Sequence, residues 1–234
     1  MSCPIIGITT SYECEGTTTR QMLNHDYVVA IERAGGCPLV LPMTEQADTL
    51  DPVVALLDGL VITGGPGIVS GLVGDLPADL PAVSPFRYQN DACVFEAAQK
   101  KHIPILGICY GMQFINAQFG GTLYADVQHQ MEVMPHSPKR TQGQDIHHSI
   151  HIESDTHLAH ILGTSSCETN SYHVQALEKI GSGLRISARS NDRVVEGIET
   201  EDGRIVGVQF HPEKMPGSFW NRIFEYLVKQ AKKQ

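Results

Sequence analysis

A cysteine lies between two glycines in the segment Gly107-Ile108-Cys109-Tyr110-Gly111, where an apolar run meets a helical pattern. This G-x-nucleophile-x-G form is typical of a sharp strand-to-helix turn that presents its central side chain. The partial positive charge at the start of a helix stabilises a thiolate there. Cys109 is therefore the candidate nucleophile, and burial as a small apolar residue is the alternative.

A histidine and a carboxylate follow another apolar run about a hundred residues downstream, in Gly207-Val208-Gln209-Phe210-His211-Pro212-Glu213. An imidazole that shuttles protons must be held in one tautomer, and Glu213 is close enough in sequence to orient His211. A His-Pro-Glu turn alone is common on protein surfaces, but its pairing with the cysteine motif is specific. The two motifs predict a catalytic triad of Cys109, His211 and Glu213 for acyl transfer.

A third motif, Gly64-Gly65-Pro66-Gly67, ends the apolar run 59–62. Acyl transfer needs backbone N–H groups aimed at the developing oxyanion, and the N–H groups of Gly65 and Tyr110 are the candidates. A phosphate-binding loop is the alternative, but this segment lacks the Lys-Ser/Thr pair of a nucleotide loop. We therefore predict an oxyanion hole at this turn.

Short apolar runs alternate with helical patterns around these motifs in the first half of the chain. Strands are predicted at 4–8, 38–41, 59–62 and 104–107, and helices at 27–34, 50–57, 90–101 and 112–119. Such alternation indicates a parallel sheet covered by helices.

Strands dominate the second half, with predicted strands at 149–152, 184–187, 194–198 and 205–210. Ser218 is expected to cap a final amphipathic helix that reaches about Lys232. The prediction is an α/β fold with a central, mostly parallel sheet flanked by helices and additional antiparallel strands in the C-terminal half. Because 234 residues suffice for one large core, we expect a single domain over 1–234.

The composition excludes several classes of function. The chain has 17 basic against 26 acidic residues and a net charge of −9, which disfavours a nucleic-acid partner. We see no apolar run that could span a membrane and no secretory signal, so we expect a cytoplasmic protein without a membrane partner. The 6 cysteines lack CxxC spacing, which argues against a disulfide framework or a thiolate zinc site.

The three chemical motifs, in this order, resemble the class I glutamine amidotransferase superfamily. Within it, the chain resembles the γ-glutamyl-γ-aminobutyrate hydrolase (peptidase-like) branch over nearly its entire length. The segments that carry this resemblance are Pro4-Ile5-Ile6-Gly7-Ile8-Thr9, Gly-Gly-Thr-Leu at 120–123 and Asn170-Ser171-Tyr172-His173-Val174-Gln175-Ala176. The resemblance implies a flavodoxin-like fold, no cofactor, and hydrolysis of a γ-glutamyl amine through a thioester, with release of glutamate and the amine.

The resemblance also implies roles for residues near the acyl pocket. Gln113 would contact the glutamyl group, with an ordinary helix-surface amide as the alternative. His173 and Gln175 would lie beside it, with a polar loop without function as the alternative. Two departures leave the amine unidentified. Tyr110 stands where the hydrolase branch usually has arginine, and the stretch 66–70 lacks the usual Asp and Pro-x-x-Tyr. These segments are closer to glutaminase subunits, so a component that delivers ammonia to a synthetase partner is the alternative, and a binding module without activity is a third.

Histidines crowd residues 129–160, and His147-His148-x-x-His151 has a spacing compatible with a metal site. Ile150 and Ile152 alternate with polar residues there, as on a half-exposed strand, so the sequence predicts no metal. The loop 68–87 is expected to act as a flap whose Leu72 and Val73 contact the amine. The expected partner is a small-molecule γ-glutamyl substrate, with a homodimer left open.

Overall fold

A computed structural model describes residues 3–46, 49–215 and 217–232. In chain order its strands and helices are β1 (Ile5–Ile8), β2 (Ser11–Glu15), β3 (Thr18–Met22), α1 (His25–Arg33), β4 (Cys37–Val40), α2 (Asp51–Ala55), β5 (Gly59–Ile62), β6 (Leu72–Val73), α3 (Pro85–Lys100), β7 (Ile105–Ile108), α4 (Tyr110–Gln118), β8 (Leu123–Tyr124), α5 (Val127–Met131), β9 (Ile146–Ile152), α6 (His157–Leu162), β10 (Ser166–Ser171), β11 (Ala176–Leu177), β12 (Leu184–Ser190), β13 (Val195–Thr200), β14 (Ile205–Val208) and α7 (Ser218–Ala231).

One nine-stranded sheet organises the chain, in the order β10-β9-β12-β13-β14-β7-β5-β1-β4. The strands from β14 to β4 run parallel, and those from β10 to β13 pair antiparallel. The α/β class with a largely parallel sheet and antiparallel strands in the C-terminal half is thus confirmed.

Burial explains why the parallel half was readable from the sequence. Every residue of β5, β7 and β14 is buried, because helices cover both faces of the sheet. One apolar cluster joins α1, α6 and α7 to the sheet, through residues such as Ile31, Leu158 and Leu227. A second apolar cluster joins α2, α3 and α4 to the opposite face.

Several local expectations differ from the structure. β2 and β3 form an exposed hairpin that apolar periodicity could not show, because its side chains are mostly polar. Ser218 is already the first residue of α7, and its predecessor Gly217 makes no side-chain cap.

No helix in the described ranges is long and apolar enough to cross a membrane.

The loop 68–87 is ordered differently from the expected flap. Leu72 and Val73 form β6, which pairs with β8 in a small three-stranded sheet. Leu72 packs against the core, and Val73 is exposed. Neither lies in the clefts beside Cys109, so the expectation that they contact the amine is corrected.

At Gly111 there is no room for a side chain between α4 and β5. A Cβ built there would lie 2.1 Å from the carbonyl oxygen of Ile62, so Gly111→Ala must push α4 away from β5. Overpacking of this kind costs about 1–3 kcal/mol, and we expect a loss of that size in the free energy of unfolding, measured by urea denaturation.

The control is Gln118→Ala, at an exposed position of the same helix, which should change the free energy of unfolding by less than about 0.5 kcal/mol. Equal stability of Gly111→Ala and wild type would contradict the close packing of α4 on β5.

Candidate active site

Cys109 lies at the turn between β7 and α4 with a backbone φ of +53°, in the left-handed region that L-residues rarely adopt. Its N–H donates to the Val208 carbonyl at 2.8 Å, and its own carbonyl accepts from Gln113 N–H at 3.1 Å. A Cβ at Gly107 would lie 2.7 Å from the Gly111 carbonyl oxygen. The turn therefore needs both flanking glycines, as the motif predicted.

His211 follows β14 and is held from two sides. Its backbone N–H donates to the Asn170 side-chain oxygen at 2.8 Å, and its carbonyl accepts from the Asn170 amide nitrogen at 2.9 Å. Its Nδ1 lies 2.6 Å from Oε1 of Glu213, whose side chain is fully buried. The Nδ1 proton of His211 therefore lies between the ring and the Glu213 carboxylate, and Nε2 faces away from Glu213.

The far edge of the His211 ring faces the glycine turn after β5. A Cβ at Gly64 would lie 2.7 Å from Cε1 of His211 and 3.6 Å from its Nε2. Burial lowers the pKa of His211, but the adjacent Cys109 sulfur and the Glu213 carboxylate outweigh it and raise the pKa to about 9. His211 thus interacts with both Cys109 and Glu213, and these interactions favour its charged imidazolium form.

A buried arginine braces the turn that holds Gly65. Arg87, 1% exposed, donates through Nη2 to the Thr63 and Gly64 carbonyls at 3.3 and 3.0 Å. Its Nη1 would lie 2.3 Å from a Cβ at Gly65. The guanidinium carbon also lies 4.2 Å from the ring centre of Tyr110. The two residues predicted to form the oxyanion hole thus share one rigid support.

Two clefts meet at Cys109. One, about 130 Å³, contains Gln113, Leu80 and Lys139. The other, about 280 Å³, contains His211, Met22 and Lys214. Gly65, Cys109 and Tyr172 line both clefts. A substrate bond placed at Cys109 can therefore have one group in each cleft.

The comparisons with known proteins bear on this geometry. The model of the family described as Peptidase C26 matches residues 4–213, which is most of the chain. The chain belongs to the peptidase C26 family. A Schizosaccharomyces pombe protein named "Putative glutamine amidotransferase PB2B2.05" is 34% identical over 240 residues, covering 99% of this chain and 88% of its own.

Two further proteins are similar to the chain, one in sequence and one in fold. The γ-glutamyl-γ-aminobutyrate hydrolase PuuD of Escherichia coli is 30% identical over 220 residues, covering 91% of this chain and 87% of its own. The solved glutaminase domain of Trypanosoma brucei CTPS with bound acivicin shares the fold, with a TM-score of 0.66 and 15% identity, over 99% of this chain and 94% of the other. The resemblance to glutamine amidotransferase-like proteins is confirmed.

The other predicted site residues of this C26 protein line the smaller cleft, but their polar atoms are largely engaged by protein. Gln113 Nε2 donates to the Gln175 carbonyl at 2.9 Å and to Gln209 Oε1 at 3.0 Å. The Gln175 side chain accepts from Ile68 N–H and donates to its carbonyl, at 2.7 and 2.8 Å. Both ring nitrogens of His173 face protein atoms. Direct contact with substrate by these three residues stays a prediction.

Sequence reasoning missed two tyrosines at the site. The hydroxyl of Tyr27 accepts the Gly64 N–H at 3.0 Å; burial first, and then the charge of Glu213, raise the pKa of this hydroxyl. The ring of Tyr172 meets the His211 ring edge-on, with ring centres 5.7 Å apart. Tyr27 lies in a helical pattern that is typical of a core residue, whereas Tyr172 is part of the quoted segment 170–176 and could have been found there.

The raised pKa of His211 predicts a pH dependence of stability. A folded-state pKa of about 9 against an ordinary 6.5 means that the charged imidazole stabilises the fold fully below about pH 6.5. That contribution is lost as the pH rises through about 9. We expect the stability of wild type relative to His211→Asn, measured by urea denaturation, to fall across this range. A flat or rising difference would contradict the interaction among Cys109, His211 and Glu213.

Proposed function

We propose that this protein hydrolyses the γ-glutamyl amide bond of a γ-glutamyl amine, such as γ-glutamyl-γ-aminobutyrate, through a thioester. The Cys109 thiolate attacks the γ-carbonyl carbon, and the Gly65 and Tyr110 N–H groups hold the oxyanion. His211 gives its Nε2 proton to the departing amine, which leaves a glutamyl thioester on Cys109. The contact of Glu213 with Nδ1 supports this role for His211 throughout.

Water completes the reaction. His211, now neutral, takes a proton from a water molecule that attacks the thioester carbonyl. The C–S bond breaks, glutamate leaves, and Cys109 returns as the thiolate beside imidazolium. Each proton that His211 gives in the first half is recovered in the second.

The cleft that contains His211 is the observation that most supports the proposal. The leaving amine must lie beside the group that protonates it, and His211 lines only the cleft of about 280 Å³. The glutamyl group then takes the smaller cleft, which contains Gln113. We call the cleft of about 280 Å³ the amine cleft and the smaller one the glutamyl cleft. Ammonia, the leaving group from glutamine, needs no cleft of this size, whereas an amine with a carbon chain does.

Charge supports an amine that carries a carboxylate. Lys214 lies in the amine cleft, with its Nζ 4.5 Å from the ring centre of Tyr172. Lys139 lies in the glutamyl cleft. One cation on each side of Cys109 suits a substrate with a carboxylate at both ends, as in the γ-glutamyl conjugate of an ω-amino acid.

A glutaminase that delivers ammonia to a synthetase partner is the second candidate. The fold shared with the CTPS glutaminase domain and the amidotransferase name of the 34% identical relative favour it. Its first half-reaction is the same, so only substrate preference and dependence on a partner separate the two candidates.

The nucleophile assignment predicts that Cys109→Ala abolishes hydrolysis of a γ-glutamyl amine while the chain stays folded, since little side-chain volume is lost. Glutamate release by purified protein measures activity, and circular dichroism measures folding. Cys93→Ala, at a half-buried thiol away from both clefts, is the control and should keep wild-type activity. Turnover by Cys109→Ala above about a tenth of wild type would refute the thioester route.

The amine cleft predicts that the purified protein alone turns over γ-glutamyl-γ-aminobutyrate with kcat/KM at least about tenfold above that for glutamine. Each buried CH₂ contributes about 0.8 kcal/mol, so two such groups suffice. Met22→Asp, in the amine cleft, should erode this preference and leave glutamine turnover nearly unchanged. Val73→Asp is a matched control, because Val73 is 39% exposed against 38% for Met22 and lies outside both clefts.

The opposite results would favour the second candidate. If glutamine is the better substrate, or if activity requires a partner from cell extract, the protein is a glutaminase component and the hydrolase proposal is wrong.

A further inference from the structure

Beside the glutamyl cleft lies a group of three histidines and one glutamate that takes no proton or bond in the proposed reaction, and of these four residues His173 alone lines that cleft. We call it the histidine cluster; its members are His136, His148, His173 and Glu196. One donor atom from each member lies within 4.8 Å of all the others. Glu196 is fully buried, and His136 and His173 are each 3% exposed. Four segments distant in sequence therefore place these side chains together.

The Glu196 carboxylate is the focus of the cluster. Its Oε1 lies 3.5 Å from His136 Nδ1, 3.4 Å from His148 Nε2 and 3.4 Å from His173 Nε2. Yet neither oxygen of Glu196 and neither nitrogen of His148 has a hydrogen-bond partner among the residues that the structure describes. Leaving a buried carboxylate uncompensated costs several kcal/mol, so the cluster calls for a positive group at its centre.

Contacts outside the cluster fix the tautomers of two histidines. His136 donates from Nε2 to Asp192 Oδ2 at 3.0 Å, and His173 donates from Nδ1 to the Gln175 carbonyl at 2.9 Å. In neutral rings, the opposite nitrogens then carry lone pairs, and these two atoms face each other at 3.2 Å. The Ser171 hydroxyl lies 3.4 Å from His136 Nδ1, but it donates to the nearer His136 carbonyl at 2.8 Å and so leaves this opposition in place.

The spacing of the donor atoms matches a tetrahedral ion. Zinc binds histidine nitrogen and carboxylate oxygen at about 2.0–2.2 Å, so the edges of its coordination tetrahedron are about 3.3–3.6 Å long. Four of the six separations among the donor atoms of the histidine cluster are 3.2, 3.4, 3.4 and 3.5 Å, and all six are within 4.8 Å, close enough for small side-chain shifts to bring every donor onto one ion. The hydrogen bonds to Asp192 and the Gln175 carbonyl are the outer contacts that orient histidine ligands in metal sites.

We propose that the histidine cluster binds one Zn²⁺ ion through His136 Nδ1, His148 Nε2, His173 Nε2 and Glu196 Oε1. Four protein ligands complete a tetrahedron and leave no position for substrate, so the ion is structural. It would tie β9 and β13 to the segment 132–145 and to the segment after β10. A surface cleft of about 460 Å³ that contains His136 and His148 offers the ion a path.

Of the three histidines in the sequence motif His147-His148-x-x-His151, one belongs to the histidine cluster. His147 and His151 are exposed on the outer face of β9, and only His148 points to the cluster. The alternation expected for this strand is therefore present, and it is this alternation that separates His148 from its neighbours.

A proton on His136 is the alternative way to balance Glu196. Burial lowers the pKa of His136, but the Glu196 and Asp192 carboxylates outweigh it and raise the pKa. A protonated cluster would hold no metal, so metal content separates the two possibilities, and it does so whether or not the proposed hydrolase activity is found.

The experiment measures zinc in tag-free protein by plasma mass spectrometry, after expression in zinc-supplemented medium and desalting. We expect about one zinc per chain in wild type and nearly none in His148→Ala. His147→Ala, at the exposed neighbouring histidine, is the matched control and should keep the zinc. Asp192→Ala leaves all four ligands in place but removes the outer hydrogen bond to His136, and should weaken zinc affinity about 10–100-fold in a competition with a chromophoric chelator.

A second measurement covers the case in which His148→Ala does not fold. Wild type stripped with a chelator and reloaded with Co²⁺ should show the intense visible bands of a tetrahedral site, and its melting temperature should rise on reloading. Wild type that lacks zinc after supplementation and takes up neither Zn²⁺ nor Co²⁺ would overturn the proposal. Equal zinc in His148→Ala and wild type would also overturn it, because the ion would then lie elsewhere.

Discussion

The close approach of α4 to β5 is the constraint on which the site depends. With no side chain at Gly111, the first turn of α4 lies against the Ile62 carbonyl, where even a Cβ would be only 2.1 Å away. This contact sets Cys109, at the start of α4, beside the glycine turn that follows β5. A helix displaced by the width of a methyl group would separate the sulfur from that turn, and the left-handed backbone of Cys109 would lose the packing that maintains it.

Strand register extends the same constraint to the histidine. In the parallel pair of β14 and β7, Val208 lies opposite Ile108, so both strands end at one level of the sheet. Cys109 follows β7 at once, and His211 follows β14 after two more residues. The carboxyl ends of neighbouring parallel strands are where loops from different parts of a chain converge, which is why open α/β sheets bind ligands there. Asn170, from the antiparallel half, then fixes the backbone of His211 by two hydrogen bonds.

The same reasoning explains what the sequence could and could not predict. The motifs at 64–67, 107–111 and 207–213 each follow an apolar run, and runs that are buried on both faces are readable without an alignment. Tyr27 supports the site from a helix whose apolar pattern indicated only its core-facing side, and Arg87 lies in the first turn of α3, which the sequence analysis assigned to the loop 68–87. Residues of the histidine cluster come from four separate segments, and no local spacing brings His136 to Glu196. Their proximity follows from antiparallel pairings whose register is set by tertiary packing.

Hydrogen bonds of Gln175 link the antiparallel half of the sheet to the parallel half. Its carbonyl accepts from His173 of the histidine cluster and from Gln113 of α4. Its side chain makes two hydrogen bonds to the backbone of Ile68, directly after the glycine turn. Displacement of the segment after β10 would therefore reach both the wall of the smaller cleft beside Cys109 and the loop that follows Gly65. Because the Gln175 carbonyl and side-chain amide already bond to three residues, they cannot shift without breaking one of these contacts. The antiparallel half therefore acts as the rigid back wall of a candidate site whose Cys109 and His211 follow strands of the parallel half.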